Sequence, residues 1–169
     1  MSERPEVRFG RLLQEHGPAL NRLAAGYEWD PIERQDLLQE IALAIWRALP
    51  AFRGDSSERT FVFRIAHNRG LTHRWQRRRG SASHALSDEL PDDRHPADDR
   101  VMDSDQHERL SAAIRRLPES QRAAVMLTLE GLSHREIAEV LGVEENAIAA
   151  RLSRARRQLR VLLGEEAHR

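Results

Sequence analysis

The chain has 169 residues, 27 basic and 27 acidic side chains, a formal net charge of zero and no cysteine, which excludes disulfides, zinc-thiolate sites and thiol catalysis. The longest apolar run, Ile41–Trp46, is far too short to cross a bilayer and no signal-peptide pattern opens the chain, so a cytoplasmic protein without membrane insertion is expected. The zero charge conceals segregation: residues 1–80 carry 14 arginines against 10 carboxylates, residues 81–108 carry 2 against 9, and residues 109–163 carry 10 against 6.

Residues Val7 to Tyr27 read as a helix bent near Gly17-Pro18, because proline cannot continue the preceding hydrogen-bond ladder. Asp30-Pro31-Ile32-Glu33 starts a second helix: an N-cap acid, proline in the first turn and a glutamate three residues on from the cap. It is expected to run to Leu49 and stop at Pro50, with Leu37, Leu38, Ile41, Ala44, Ile45, Ala48 and Leu49 on its core face. Its other face mixes Ile32, Asp36, Gln39, Leu43 and Trp46. That composition suits a protein–protein contact anchored by an aromatic, unless the first helix covers it.

A loop with Gly54 at its turn leads to a third helix, capped by Ser56 or Ser57. From 59 to 79 this helix has no acid, while Arg59, Arg64, Arg69, Arg74, Arg77, Arg78 and Arg79 recur along it. Phe61, Phe63 and Trp75 lie on different sides of it, so they cannot all belong to one core stripe. Arginines for phosphates and spare aromatic faces for unstacked bases suit a nucleic-acid strand. A basic helix whose aromatics pack on neighbours reads the same way.

Residues 80–104 lose periodicity and are rich in Ser, Pro, Asp and His, the composition of a flexible acidic linker. Beyond it Asp105–Leu117 and Glu119–Glu130 read as helices stopped by Pro118 and Gly131. Ser133-His134-Arg135-Glu136 is a capping box opening a short helix that ends at Gly142, and a last helix runs from Glu145 to Leu163. Two helices joined at a glycine turn, the second rich in arginine, form a helix-turn-helix pattern. Ile148, Leu152, Ala155, Leu159 and Leu162 make the packed stripe, and Asn146, Ala147, Ala150, Ser153, Arg154 and Arg157 face away from it. The expected fold is all-α: two small helical domains, 1–79 and 105–169, joined by the acidic linker.

In this order the motifs resemble bacterial RNA polymerase sigma factors of the extracytoplasmic-function (ECF) group, over about residues 9–163. Asp36-Leu37-Leu38-Gln39-Glu40, with Trp46 and Arg47-Ala48-Leu49-Pro50, is similar to the helix that grips core polymerase. Phe52-Arg53-Gly54-Asp55-Ser56 and Arg64-Ile65-Ala66-His67-Asn68 are similar to the segments that melt and read the minus-ten element. Leu132 to Ala138, Leu141-Gly142 and Arg151 to Arg156 resemble the unit that reads the minus-thirty-five element.

The resemblance implies core contacts through Asp36, Gln39, Glu40, Leu43 and Trp46. It implies minus-ten contacts through Phe52, Arg53, Asp55, Ser56, Phe61, Arg64, Asn68, Arg74, Arg77 and Arg78. Upstream contacts would come from Arg135, Asn146, Arg151, Ser153, Arg154 and Arg157. Implied partners are the clamp and flap of core RNA polymerase, promoter DNA and an anti-sigma factor, with no cofactor and no metal. Two departures stand out: Phe61-Val62-Phe63 where the family has Trp-Leu-Tyr, and Ala149-Ala150 where a basic residue and a serine are common. Alanines cannot hydrogen-bond base edges, so upstream readout would fall to Arg151, Ser153 and Arg154.

A plain helix-turn-helix regulator with a sensing or dimerising N-terminal half is the competing class; it leaves the second-helix patch and the arginine helix unexplained. For an enzyme the sequence offers no phosphate loop and no paired histidines, its eight histidines being scattered and readable as titratable surface groups.

Overall fold

The computed structural model describes residues 3–82 and 103–166, and among these it is all-α. Three helices form the N-terminal half: α1 (Pro5–Ala25), α2 (Pro31–Ala48) and α3 (Glu58–Ala82), with a 3-10 turn at Leu49–Ala51 before α3. Four form the C-terminal half: α4 (Asp103–Arg115), α5 (Glu119–Leu129), α6 (His134–Leu141) and α7 (Glu145–Glu166). None of the described helices is long and apolar enough to cross a membrane.

Local chemistry sets most of the boundaries. The Asp30 carboxylate accepts from the amides of Ile32 (2.8 Å) and Glu33 (3.1 Å), with Pro31 as the first helical residue of α2. Ser57, rather than Ser56, caps α3: its Oγ accepts from the Thr60 amide at 3.0 Å. At α6 the capping box is complete, with Ser133 Oγ accepting from the Glu136 amide and the Glu136 carboxylate accepting from the Ser133 amide. Gly142, at φ 66°, then turns the chain into α7 through the left-handed region that favours glycine.

Pro18 lies inside α1, which runs as one helix on both sides of it, as the sequence reading has it. Two boundaries depart from that reading. The arginine helix extends to Ala82 and α4 begins at Asp103, so both ends of the segment expected as linker are helical. The remainder of that segment lies outside the described residues.

In the N-terminal half Leu12, Leu23, Leu37, Ile41, Ile45 and Phe63 are fully buried between the three helices. In the C-terminal half Leu127, Ile137, Val140, Ile148 and Leu152 fill the same role. The two sets join into a single apolar cluster, because α3 packs on α6 and the end of α1 packs on α5. Two glycines permit close approach. A Cβ on Gly70 would lie 2.5 Å from the Tyr27 ring, and one on Gly26 would meet the Met126 sulfur at 2.0 Å.

Candidate polymerase and nucleic-acid interfaces

On α2 the alternation of faces comes out as the periodicity requires. Leu37, Ile41, Ile45 and the following Leu49 are buried, while Asp36, Gln39, Glu40, Leu43 and Trp46 are all exposed. Ile32, at the start of the helix, is 77% exposed. α1 meets this face where the Phe9 ring packs edge-on against Trp46, with centroids 5.3 Å apart. Between the two helices lies an open, mainly apolar groove of about 500 Å³ lined by Glu6, Phe9, Ala42, Leu43 and Trp46. Isolated exposed apolar residues need no explanation, but here an exposed indole and two exposed aliphatic side chains share one helix face with carboxylates, which makes it a candidate docking surface.

α3 presents three different faces. Val62, Phe63, Ala66, His67, Gly70 and His73 are buried against α1, α2 and the loop after α1. Phe63 is therefore core, with the His16 ring against its edge at 6.2 Å, and offers no face to a base. Phe61 is half-buried and stacks obliquely on Phe52 at 4.5 Å, while the Arg8 guanidinium lies 5.0 Å from the Phe52 ring. Arg53 and Asp55 are exposed in the loop beside this pair, and Ser56 is half-buried.

The open face of α3 is a strip of Asn68, Arg69, Thr72, Trp75, Gln76 and Arg79. These fall within an arc of roughly 120° at helical spacing. Trp75 is 56% exposed, with the Arg79 guanidinium 4.7 Å from its ring. One face of the indole is covered by a cation and the ring keeps surface free for stacking. Of this strip the contacts implied by the resemblance include only Asn68, while Arg69, Trp75 and Arg79 belong to the arginine and aromatic pattern read from the sequence. Thr72 and Gln76 are not singled out there, and helical spacing marks them once His67, Gly70 and His73 are assigned inward.

The other expected arginines are engaged within the chain. Arg64 Nε donates to the Glu139 carbonyl at 3.2 Å, Arg74 and Arg78 pair with Glu119, and Arg77 pairs with Glu28.

The helix-turn-helix unit is α6–α7. Ile148, Leu152, Ala155 and Leu162 are buried, with Leu159 half-buried beside them. Asn146, Ala149, Ala150, Ser153, Arg154 and Arg157 are exposed along α7, and Arg151 is half-buried. Arg135, on α6, is 82% exposed. The face away from the stripe thus carries Arg154, Arg157 and two neutral polar side chains, Asn146 and Ser153, with Ala150 among them, while half-buried Arg151 lies at the edge of the stripe, close enough to act on His67.

The sequence matches the family description "Sigma-70 region 2" over residues 12–80 and "Sigma-70, region 4" over residues 107–159. It is 32% identical over 163 residues to the RNA polymerase sigma factor NccH of Alcaligenes xylosoxydans xylosoxydans, covering 92% of this chain and 86% of that one. This chain belongs to the sigma-70 family. The ECF RNA polymerase sigma factor SigM of Mycobacterium tuberculosis is also 32% identical, over 92% of this chain and 77% of its own. Two solved structures share the fold along most of their length. The sigma factor RpoE bound to the anti-sigma factor NepR, from Bartonella quintana, gives a TM-score of 0.78 at 26% identity, with coverage of 93% and 97%. CnrH in complex with the cytosolic domain of CnrY gives 0.69 at 27% identity, with coverage of 93% and 88%. The protein is thus a sigma factor of the ECF group, a class of transcription initiation factors.

In this sigma-family chain the region 2 helix α3 is oriented by polar groups that sequence reasoning took for surface residues. His16, His67 and His73 are all buried. Glu28, in the loop after α1, accepts from His73 Nε2 at 2.9 Å and from Arg77, and its second oxygen accepts from the Asp30 amide at 3.0 Å. Burial alone would raise the Glu28 carboxyl, but the bonds from Arg77 and His73 outweigh it and hold it below the usual carboxylate range. One buried acid therefore ties the loop after α1 to two residues of α3, on the side away from Trp75 and Asn68.

His67 shares a hydrogen bond with the Tyr27 hydroxyl, their rings 5.8 Å apart. Burial, with the Arg151 charge adding to it, pushes the imidazole down from 6.5 to about 4. Between these values the unfolded chain takes up a proton that the folded chain refuses. The contribution of His67 is therefore fully present above about pH 6.5 and is lost as the pH falls toward 4. A shift of this size corresponds to on the order of 3 kcal/mol. Urea unfolding at successive pH values should show the loss, His67→Gln should flatten it, and the His67 ring signals in NMR should titrate near pH 4. A His67 ring that titrates near 6.5 would contradict this assignment.

Proposed function

We propose that this sigma factor docks on core RNA polymerase through Asp36, Gln39, Glu40, Leu43 and Trp46 and opens promoter DNA at the minus-ten element with α3 and the loop before it. Its region 4 unit, α6–α7, anchors the minus-thirty-five element through Arg135, Asn146, Arg151, Ser153, Arg154 and Arg157. Residues 1–79 and 105–169 act as the two DNA-engaging domains, with residues 80–104 between them. The observation that carries this reading is the order of surfaces along one chain. An exposed Trp46 patch on α2 precedes an arginine and tryptophan strip on α3, and a capped helix-turn-helix follows.

Melting requires no bond chemistry. Unstacking a base costs a few kcal/mol, which stacking and a fitted pocket offset. Phe52 and Phe61 form an aromatic wall beside exposed Arg53 and Asp55, and Asn68 adds an amide on the strip further along α3. The arrangement suits a single unpaired base held by its face and its edge. Phe52→Ala and Asn68→Ala should therefore lower permanganate reactivity of thymines near the start site more than they lower initial binding of the closed duplex. Mutants that open promoters as well as the wild type would remove both residues from the mechanism.

Of the two structural neighbours, RpoE is in complex with the anti-sigma factor NepR and CnrH with the cytosolic domain of CnrY. By that likeness an anti-sigma factor regulates this chain too, and the cytoplasm, where polymerase works, is its compartment. The helix-turn-helix regulator reading gains nothing from the structure, since it gives the exposed α2 patch no role.

A further inference from the structure

A cation from α1 stands at the Phe52–Phe61 wall, and the DNA contacts implied by the sequence do not include it. Arg8 lies ahead of the match to region 2, which runs over residues 12–80. Its guanidinium carbon sits 5.0 Å from the centre of the Phe52 ring, and Phe52 in turn lies against Phe61 at 4.5 Å. Its Nε donates at 2.7 Å to Glu58 Oε1, on the first residue of α3.

Arg8 is held differently from the other arginines of α1. Arg22 meets Glu130 with two parallel bonds, from Nε and Nη2. Arg11 does the same with Glu3, and also reaches Glu58 and Glu15. Arg8 gives Glu58 its Nε alone, and among the described residues no protein hydrogen bond takes up either of its amino groups. Those groups are not sealed in, since the side chain keeps 27% of its surface. The anchoring carboxylate is charged at neutral pH: the bond from Arg11, with that from Arg8 added, outweighs burial and holds Glu58 below the usual carboxylate range. Arg8 is thus fixed at one nitrogen and against one ring, with donors left over. Two N–H donors on a planar cation are the set that grips two oxygens of a phosphate.

We infer that Arg8 contacts the opened DNA strand, its two amino groups taking the phosphate of the nucleotide whose base lies on the Phe52–Phe61 wall. The inference rests on the proposed reading of that wall as a base site. Glu58 sets the guanidinium in place before DNA arrives, so little side-chain freedom is lost on binding. The cation supplies what two phenyl rings lack. They hold a base by its face, and Arg8 holds the backbone that the base hangs from. A backbone contact adds affinity for the opened strand and carries no base preference of its own.

The test uses the full chain assembled with core polymerase, on a promoter fragment whose non-template strand is left single-stranded through the minus-ten element. In Arg8→Gln the Glu58 carboxylate keeps Arg11 as its partner, so the fold should be retained. This variant should bind the fragment about tenfold more weakly than wild type at low salt, the loss of one charged hydrogen-bonded contact. The slope of log affinity against log salt should become shallower by about 0.7, the value for one phosphate contact on a single strand. Arg8→Lys keeps the charge without the bidentate geometry, and should restore the slope but only part of the affinity. A methylphosphonate, which removes the charge of one phosphate, is then moved along the non-template strand. At one position it should weaken binding of the wild type and have no further effect on Arg8→Gln, the signature of a shared contact. Wild-type affinity and slope in Arg8→Gln would overturn the inference. So would methylphosphonate effects of the same size in both proteins at every position, which would make Arg8 only a packing group for Phe52. If Phe52→Ala impairs opening while Arg8→Gln behaves as wild type, the base wall stands and the inference falls. Phe52→Ala that opens promoters as well as wild type would overturn both.

Discussion

Trp46→Ala is expected to weaken binding to core RNA polymerase by about 2 kcal/mol, roughly thirtyfold, while leaving the helical content of the free protein unchanged. The basis is the position of the indole. It is 38% exposed, packed at one edge on Phe9, and bordered by exposed Leu43 and the acids at 36 and 40. An indole in that setting loses its remaining water on docking and gains a complementary pocket, which is how a few residues come to dominate an interface. Trp46→Phe keeps an aromatic against Phe9 and should recover part of the affinity. Unchanged affinity in a folded Trp46→Ala protein would remove the patch from polymerase docking. Loss of helicity would show that the Phe9 contact is structural.

Phe63→Ala should cost about 3–5 kcal/mol of folding stability, enough to unfold a marginal domain, because truncating a buried aromatic leaves a cavity the bundle cannot collapse into. Phe63 is 1% exposed and belongs to the core between the first three helices. Phe61→Ala, two residues away, should cost far less stability and should instead reduce promoter opening, since Phe61 is half-buried on Phe52. Chemical denaturation and permanganate footprinting on the two variants separate these effects. Equal destabilisation by both would mean the Phe52–Phe61 wall is only packing.

That contrast also shows where the sequence could be read and where it could not. Helix starts were legible because their chemistry is local: Asp30 and Ser133 bond to amides two or three residues on. The α2 faces were legible because a single buried stripe leaves a strong helical period. On α3 the period fails, because different sides meet α1 and α2, the region 4 half, and solvent. Nothing local distinguishes Phe63 from Phe61 there.

The buried histidines were illegible for a related reason. His67 and His73 are satisfied by Tyr27 and Glu28, 40 and 45 residues earlier, just past α1, where the sequence reading has Tyr27 as the end of a helix and gives Glu28 no role. The partners of the arginines were equally remote: Arg59 finds Glu136 across 77 residues. A run of cations read alone suggests phosphates, and only the tertiary contacts reveal that several are paired within the chain.

Transcription from fragmented genomic DNA by core RNA polymerase, with and without this protein, tests the central claim most directly. The expected result is a set of discrete transcript 5′ ends that appear only when the protein is added and that disappear with Trp46→Ala. Failure to associate with core polymerase, or the same transcripts with and without the protein, would contradict its role as a promoter-specificity factor.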